Sequence, residues 1–597
     1  MIVIWILMVA SSLFLQAQES PEIENLLGFV GADSLEEMDA YEYERLSSFI
    51  GKKLKINSSG RNRLRSSGLL TDYQIASLLD YRKRHGAVYS FVELAALDGF
   101  GTDFTMRLKP FVSLEMPVRH STDVNIVSHD IDLRGTVKWQ DDTTICRYGY
   151  GMKYHIEIGD RFDASLAASR SLDYGMSYPN IYSGYMSFEF RKLPLRIIAG
   201  KFNARFGQGL ALWNGMTMSG LSSPASFLKT ASGLSPSSSF AGTSSFTGVA
   251  ADFTNRRLAV SGFVAFPKRE GPLYLPAVNM SWYGRNMKVS LTHYCELRVS
   301  KKSGILLTED MKSSADMAMC INGTDVFAET AYDWVDTAVA SLAGVRLPVS
   351  ESLNLAVMAR YYQSEYNPVY SGAARSGSKC RNEHGVSVAG KFVSSRRITV
   401  NGAEGFGSDI NRFIGNLSCD VAYHPENQKY DIRDIRFKTV ADFQFMMSSS
   451  FRWDMKVTEK FRTVGVRNRT DLRAALHYLS SLFSACVRSD LTMCNALAFS
   501  VYAEGGYKGR NLSVHLREGI FFVDEWDSRI YVYERDIPGS FNVPALYGRG
   551  LCTAATESYR FSNWVRLHLR AAYTCYPFMK EKKPGKAELK FQLSFRF

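Results

Sequence analysis

The sequence contains little of what a helical membrane protein needs. No internal apolar run approaches the roughly 20 residues that a membrane-spanning helix requires, which excludes a polytopic helical membrane protein. A disordered scaffold is also excluded, because 46% of the residues are hydrophobic and only 22% are charged. This composition leaves open a membrane protein in which apolar and polar residues alternate.

Recognisable site chemistry is equally scarce. The nine cysteines are scattered and never form a Cys-x-x-Cys motif, so the sequence favours neither a disulfide framework nor a zinc site. The chain has no HExxH, Walker-loop or GxSxG motif. We therefore predict no metal, no cofactor and no enzymatic activity. An esterase or protease assembled from distant strands inside a barrel remains a third hypothesis, because such a site leaves no local motif.

The first residues have the pattern of an export signal. Residues 2–15 are almost wholly apolar and are followed by Ala17, which suits a cleavage point. We predict a signal peptide over residues 1–17, although the usual basic start is missing. The alternative is an N-terminal membrane anchor, for which this apolar stretch is short.

Charge divides the next part of the chain into two modules. Residues 19–51 carry nine acidic side chains against Arg45 alone, whereas residues 52–115 carry a net charge of +5. A change of sign at a boundary is typical of a change of module. An approximately helical apolar stripe over residues 33–49 predicts an acidic helical arm within residues 19–51.

Residues 52–115 have the punctuation of several short helices. Capping boxes at Thr71–Gln74 and Ser90–Glu93 predict two helix starts, and a Gly99-x-Gly101 turn precedes a further helix. Such a turn exposes backbone N–H groups beside a positive helix N-terminus, and this combination suits a phosphate.

The stretch 56–112 resembles the tandem helix-hairpin-helix domain of bacterial competence DNA receptors and related exported proteins. The matching residues are Asn57 and the segments 78–82, 91–94 and 97–101. In the first hairpin, Leu69 and Thr71 stand where that family has its two glycines.

The resemblance implies a nucleic-acid site at the second hairpin. Its candidate residues are Gly99, Phe100, Gly101, Thr102, Arg82, Lys83 and Arg84. The net +5 would help nonspecific phosphate binding. The alternative is a structural or protein-docking role, with residues 82–84 forming a solvated basic helix end.

From residue 120 onwards, alternation with a period of two replaces helical periodicity. In the last segment one face is purely apolar and the other polar; the apolar residues are Ala587, Leu589, Phe591, Leu593, Phe595 and Phe597. A soluble β-sandwich also shows such alternation. Three features favour a transmembrane barrel over residues 120–597: too many strand-like segments for one sandwich, aromatic residues near segment ends, and a terminal Phe.

The predicted fold class is therefore mostly β: a large antiparallel transmembrane β-barrel of about 22–26 strands with a small N-terminal α-helical helix-hairpin-helix domain. An even strand number would leave both barrel ends periplasmic, with the helical module in the periplasm below or partly within the barrel mouth. Expected partners are outer-membrane lipid and the barrel-assembly machinery, which the strand ending at Phe597 would engage. DNA and periplasmic proteins are further candidate partners.

Several polar stretches are expected to be outward loops: residues 215–245, 300–318 and 364–385. The glycines of residues 206–210 mark either a plain turn, which we favour, or a bend where a loop folds into the lumen. Together with residues 531–550 and the helical module, this segment resembles uncharacterised Bacteroidetes-type outer-membrane proteins with a helix-hairpin-helix domain. That resemblance implies an architecture and no activity.

Two functional hypotheses follow. In the first, the barrel is a transport or translocation conduit, and the basic module captures a polyanion such as DNA. In the second, the protein is a non-enzymatic structural or docking component whose helical module plugs or anchors the barrel.

Overall fold

The computed structural model describes most of the chain after the first 35 residues. Described residues are 36, 40–51, 53–115, 127–140, 146–159, 161–190, 193–215, 221–240, 245–255, 257–267, 273–284, 286–299, 306–350, 352–397, 410–426, 433–448, 450–465, 468–581 and 583–597. The predicted signal peptide and most of the predicted acidic arm lie outside these residues.

The N-terminal region is a small helical module. Its helices are α1 Ala40–Gly51, α2 Arg61–Ser67, α3 Asp72–His85, α4 Phe91–Ala95 and α5 Gly101–Leu108. A short parallel pair, β1 Leu54–Lys55 and β2 Val112–Ser113, joins the two ends of the segment that holds α2 to α5. None of the helices in the described ranges has the length and apolar character needed to cross a membrane.

Both predicted capping boxes are present. The Thr71 side chain accepts from the backbone N–H of Gln74 and the Gln74 side chain reaches back, while Ser90 and Glu93 do the same at α4. Each box satisfies two N–H groups that a helix start would otherwise leave unpaired. The sequence therefore locates the starts of α3 and α4 correctly.

The remainder is antiparallel β-structure. The strands are β3 Val127–Gln140, β4 Arg147–Ile158, β5 Phe162–Arg170, β6 Ile181–Glu189, β7 Leu195–Arg205, β8 Gly233–Pro236, β9 Phe246–Thr254, β10 Leu258–Ala265, β11 Leu273–Tyr283, β12 Met287–Val299, β13 Leu306–Ile321, β14 Thr324–Asp333, β15 Ala338–Pro348, β16 Leu353–Tyr362, β17 Glu383–Arg397, β18 Ile410–His424, β19 Asp434–Met446, β20 Phe451–Arg462, β21 Asn468–Leu479, β22 Phe483–Met493, β23 Leu497–Lys508, β24 Leu512–Val523, β25 Ile530–Tyr531, β26 Ala545–Leu546, β27 Gly548–Arg560, β28 Val565–Cys575 and β29 Lys586–Arg596.

These strands close into one barrel. The last strand, β29, pairs with β3, with Phe591 opposite Gly135, and β7 pairs directly with β9. Strand β8 adds to β7 beside this circuit, and β25 pairs only with β26. The closed circuit thus has 24 strands, which confirms the predicted mostly-β barrel of 22–26 strands. Closure pairs every edge, as a lipid-embedded sheet requires.

The two faces of the wall differ in polarity. On β12, Leu291 is 60% exposed on the outer face, whereas its neighbours Ser290 and Thr292 are almost completely buried on the inner face. Outward apolar residues recur around the barrel, for example Leu417 and Val487. An apolar outer band with a polar inner face is the pattern of a transmembrane barrel.

The barrel has two unlike ends. At the terminal end, where β3 begins and β29 ends, most neighbouring strands are joined by short turns such as that between β13 and β14; the connection of residues 398–409 between β17 and β18 is longer. At the loop end lie the longest connections, residues 206–245, 363–382 and 524–547. The prediction of a loop over residues 300–318 was wrong from Leu306 onwards, because β13 begins there and continues the alternation.

Candidate functional site

The helical module lies inside the terminal end of the barrel. The Arg63 guanidinium of α2 is 2.6 Å from the Glu157 carboxylate of β4. The Thr254 hydroxyl of β9 donates to Asn62 at 2.6 Å. Both wall residues lie where their strands reach the terminal end, so α2 faces the inner wall there.

One buried ion cluster connects the start of α3 to the wall. The Asp72 carboxylate lies 3.0 Å from the Lys288 ammonium of β12 and 3.7 Å from the Arg65 guanidinium. Lys288 is also 3.9 Å from Asp316 of β13. Burial would raise the pKa of Asp72, but Lys288 and Arg65 outweigh it and lower the pKa below its usual value. We call these four residues the Asp72 cluster.

The loop that follows β7 folds into the lumen. The backbone N–H groups of Gln208 and Leu210 donate to the Glu329 carboxylate of β14, at 2.6 and 3.1 Å. Gly207 and Gly209 have φ angles of +59° and +91°, a region that glycine adopts without strain. The glycines of residues 206–210 therefore form a bend into the lumen, and the favoured interpretation as a plain turn was wrong.

A second long connection packs on the first. The Tyr366 hydroxyl donates to the Leu210 carbonyl at 2.9 Å, and the backbone N–H of Trp213 donates to the Tyr370 carbonyl at 2.8 Å. Tyr366 and Leu210 are fully buried in the same apolar cluster. The described parts of two stretches that were expected to be outward loops, residues 215–245 and 364–385, therefore fold into the barrel, because their apolar side chains find partners there.

The third long connection, residues 524–547, descends along the opposite wall. Glu534 pairs with Arg570 of β28 at 2.6 Å, and Asp536 pairs with Lys590 of β29 at 2.5 Å. The Tyr533 hydroxyl lies 3.3 Å from that of Tyr43 in α1, and both residues belong to the core of the helical module. The inserts from the two ends therefore meet inside the barrel.

Glu36 makes a further contact between the N-terminal segment and the wall. Its carboxylate accepts from Arg488 of β22 at 2.7 Å, from Arg473 of β21 at 3.1 Å, and from the Tyr533 N–H at 3.1 Å. Burial would raise the pKa of Glu36, but the two arginines and this N–H hold it well below its usual range. The Glu36 carboxylate is thus ionised and bound deep in the lumen.

The candidate nucleic-acid residues on α3 have different environments. Arg82 points back into the module and donates to the carbonyls of Ile56 and Ser59, at 3.1 and 2.7 Å. Arg84 is exposed and lies 2.8 Å from Asp80, and Lys83 is exposed beside it. Of the three basic residues, Arg82 is therefore held by hydrogen bonds within the module, while Lys83 and Arg84 face solvent.

The second hairpin has the glycine geometry that its sequence predicts. Gly99 and Gly101 have φ angles of +83° and +64°, and a side chain at Gly99 would collide with the Tyr73 ring. Phe100 is buried between them, whereas Gly101 and Thr102 are exposed, with open space beside Gly101. Gly101 and Thr102 therefore form the exposed side of this turn.

The sequence did not predict the contacts between the inserted segments and the inner wall. Glu36 is one acidic residue among nine in residues 19–51, and no local pattern distinguishes it. The available signal was the strongly acidic charge of that segment upstream of a basic barrel, which favours an electrostatic contact without identifying the residues.

Comparison with known proteins adds only a likeness of fold. No family model matches the chain, and no curated protein matches its sequence. Among solved structures, OccK11 (OpdR) of Pseudomonas aeruginosa is 8% identical, covers 79% of this chain and 96% of its own, and gives a TM-score of 0.29. The siderophore receptor PirA of the same organism is 8% identical over 80% of this chain and 81% of its own, with a TM-score of 0.36. The P pilus usher PapC translocation pore is 10% identical over 79% and 99%, with a TM-score of 0.29.

The class of the protein follows from its own fold. A closed antiparallel barrel of 24 strands with an apolar outer face is the fold of large outer-membrane β-barrels. Its lumen holds a helical module and three inserted loops.

Proposed function

We propose that the protein is a plugged transport conduit of the bacterial outer membrane, in which the helical module closes the terminal end at rest. The observation that carries this proposal is the Asp72 cluster, where the start of α3 is held against the inner wall by a buried ion pair. The export signal predicted at residues 1–17 agrees with this location.

The unlike barrel ends support an orientation. Outer-membrane barrels have short turns on the periplasmic side and long loops outside. The terminal end then faces the periplasm, together with the exposed part of the helical module, and the three long loops enter the lumen from outside.

The chemistry of the plug contacts favours a removable plug over a permanent core. The contacts of α2 and α3 with the wall are ion pairs and hydrogen bonds, such as Arg63 with Glu157. Charged groups that separate regain hydration, so the net cost of parting them is far smaller than their Coulomb attraction. Interfaces of this polar kind are typical of parts that move relative to one another.

Planar-bilayer recording of the full chain tests the proposal. We expect little conductance at rest and large conductance steps in mild urea, which disappear when urea is removed, because the small module unfolds before the barrel. An Arg84→Gln variant should behave like the wild type, since Arg84 lies away from the wall. Two results would contradict the proposal. One is a large steady conductance without urea, and the other is the absence of conductance under conditions in which proteolysis shows that the module is unfolded.

A second candidate function is DNA binding by the module, as its resemblance to competence receptors implies. The observation that favours it is the exposed Gly99–Thr102 turn, with both glycines in the left-handed region and Lys83 and Arg84 exposed on α3. Exposed backbone N–H groups at such a turn can receive a phosphate. A periplasmic protein could occupy the same surface.

Anisotropy of a labelled DNA duplex with the full chain in detergent tests this second function. We expect affinity that falls steeply with salt and is lost in Gly101→Val. The matched control is Gly159→Val in a barrel turn, which has a φ of +58° and equally open surroundings. Equal binding by both variants would exclude the turn as the DNA site and favour protein docking.

A further inference from the structure

Two ionisable side chains lie on the lipid-facing side of the barrel wall. Glu518 of β24 comes two residues after Leu516 and shares its face. His293 of β12 has the same relation to Leu291. Both leucines are exposed on the outer face, by 41% and 60%, and Glu518 and His293 are exposed with them. Ionisable groups that face the membrane interior are costly, and they usually mark a functional contact.

Both side chains lie well inside the apolar band. Strands β24 and β12 start at the terminal end, at Leu512 and Met287, so Glu518 and His293 are each six residues along their strand. Six residues span about 20 Å of strand, and a strand tilt of about 40° reduces this to ~15 Å of depth. The apolar band of such barrels is about 25 Å tall. Lipid headgroups are therefore too distant to serve as partners.

The Glu518 carboxylate has one oxygen without a donor. The Thr553 hydroxyl of β27 donates to Glu518 Oε2 at 2.7 Å. Among the described residues, no donor reaches Oε1. Hydrocarbon supplies no water for that position, so the atom stays unsatisfied until another polar group reaches it. Ala503, directly opposite on β23, and Gly505 are small and exposed, which lets another surface approach closely.

The His293 imidazole offers the complementary group. The Trp334 Nε1–H donates to Ser313 Oγ at 2.9 Å, and Ser313 Oγ lies 2.9 Å from His293 Nδ1. With its oxygen accepting from the indole, Ser313 has its own hydrogen to donate to Nδ1, and the neutral ring then carries its proton on Nε2. A protonated ring also has a hydrogen there. His293 therefore presents an N–H donor to the membrane interior.

We propose that Glu518 of one copy and His293 of a second copy form a hydrogen bond inside the membrane. One group supplies the acceptor and the other the donor, at the same distance along strands that start at the same end. Strands β12 and β24 are twelve strands apart in either direction round the circuit, so the two groups lie on opposite sides of the barrel. The contact is therefore head-to-tail, and it aligns successive copies in a row that does not close.

Single-molecule photobleaching in supported lipid bilayers tests this assembly. The full chain carries one dye on its N-terminal amine, and the number of bleaching steps counts the copies in each assembly. The wild type should form assemblies of more than two copies. Glu518→Leu and His293→Leu should each need about tenfold higher surface density to associate, because each loses a hydrogen bond made within the membrane.

An equal mixture of the two variants distinguishes a head-to-tail contact from other forms of association. Glu518→Leu still offers His293, and His293→Leu still offers Glu518, so a mixed pair keeps one contact and has no free end for a third copy. At a density where each variant alone is single, the mixture should form pairs and no larger assemblies.

The matched control removes an outward carboxylate from another part of the wall. Glu459 is exposed on β20 and shares the outer face with Phe461. Glu459→Gln should assemble like the wild type. Heat-dependent mobility on detergent gels checks that each variant keeps its barrel, which we expect because removing a polar group from the lipid face does not weaken the wall.

Four results overturn the proposal. The first is a wild type that stays single at every density, and the second is undiminished assembly by either leucine variant. The third is the absence of pairs in the mixture. The fourth is a loss of assembly in Glu459→Gln, because the effect would then not be specific to Glu518.

Discussion

Replacing Asp72 by Asn should loosen the helical module from the wall. The change keeps the size of the side chain and removes the charge that faces Lys288 and Arg65, whose side chains are only 7% and 8% exposed. Removing one partner of a buried ion pair costs about 3–5 kcal/mol. Asp316 stays 3.9 Å from Lys288 and compensates in part, so we expect about 2–3 kcal/mol, or roughly a 30- to 150-fold shift towards the undocked module.

A double-mutant cycle separates this pair from general disruption. Lys288→Met removes the ammonium at similar volume, and by itself it should also increase the open fraction of channels in planar bilayers. Asp72→Asn alone leaves the Lys288 ammonium without this carboxylate, and Lys288→Met alone leaves the Asp72 carboxylate without this ammonium. In the double variant both of these charges are gone, so the open fraction should be smaller than the two single effects predict. The expected coupling is about 1–2 kcal/mol. Additivity of the two changes within about 0.5 kcal/mol would refute the role of the pair.

Three further predictions follow from other contacts. The pKa values of Glu36 and Asp72 are lowered in the folded protein. Their contribution to docking is therefore complete above about pH 4 and is lost as the pH falls further. Conductance at rest should rise below about pH 4 and not between about pH 5 and 8. Burial, with Arg375 adding to it, lowers the pKa of Lys229 to about 7. The wild-type loop should therefore resist protease better as the pH rises from 7 towards 10, whereas in Lys229→Met this difference should vanish. Gly99→Val should destabilise the helical module by more than about 1 kcal/mol, because its φ is +83° and the new side chain would meet the Tyr73 ring at 2.8 Å; hydrogen exchange within α3 and α5 should accelerate while the barrel stays protected.

The barrel could be predicted from sequence because its signal is local. In β29, residues two apart share a face, so the alternation from Ala587 to Phe597 assigns each side chain to lipid or lumen without knowledge of the neighbouring strands. The capping boxes at Thr71 and Ser90 are equally local, since a cap joins groups three residues apart.

The inserted loops could not be predicted in this way. Residues 206–210 contain glycines that suit a turn or a bend, and what decides between them is Glu329, more than a hundred residues away on β14. The same holds for Arg82, whose position in a basic run favours solvent, whereas its contacts with Ile56 and Ser59 depend on how α3 packs on the preceding turn.

By itself, therefore, the sequence determined the class of the protein: a large barrel with an apolar outer face, preceded by a small capped helical module. Only the tertiary structure decided that the helical module and the long loops lie inside the barrel, and which charges hold them there. The physical reason is chain separation. The contact of Glu36 with Arg488 joins residues 452 positions apart, and it exists only because closure of the barrel brings β21 and β22 round to face the inserted N-terminal segment.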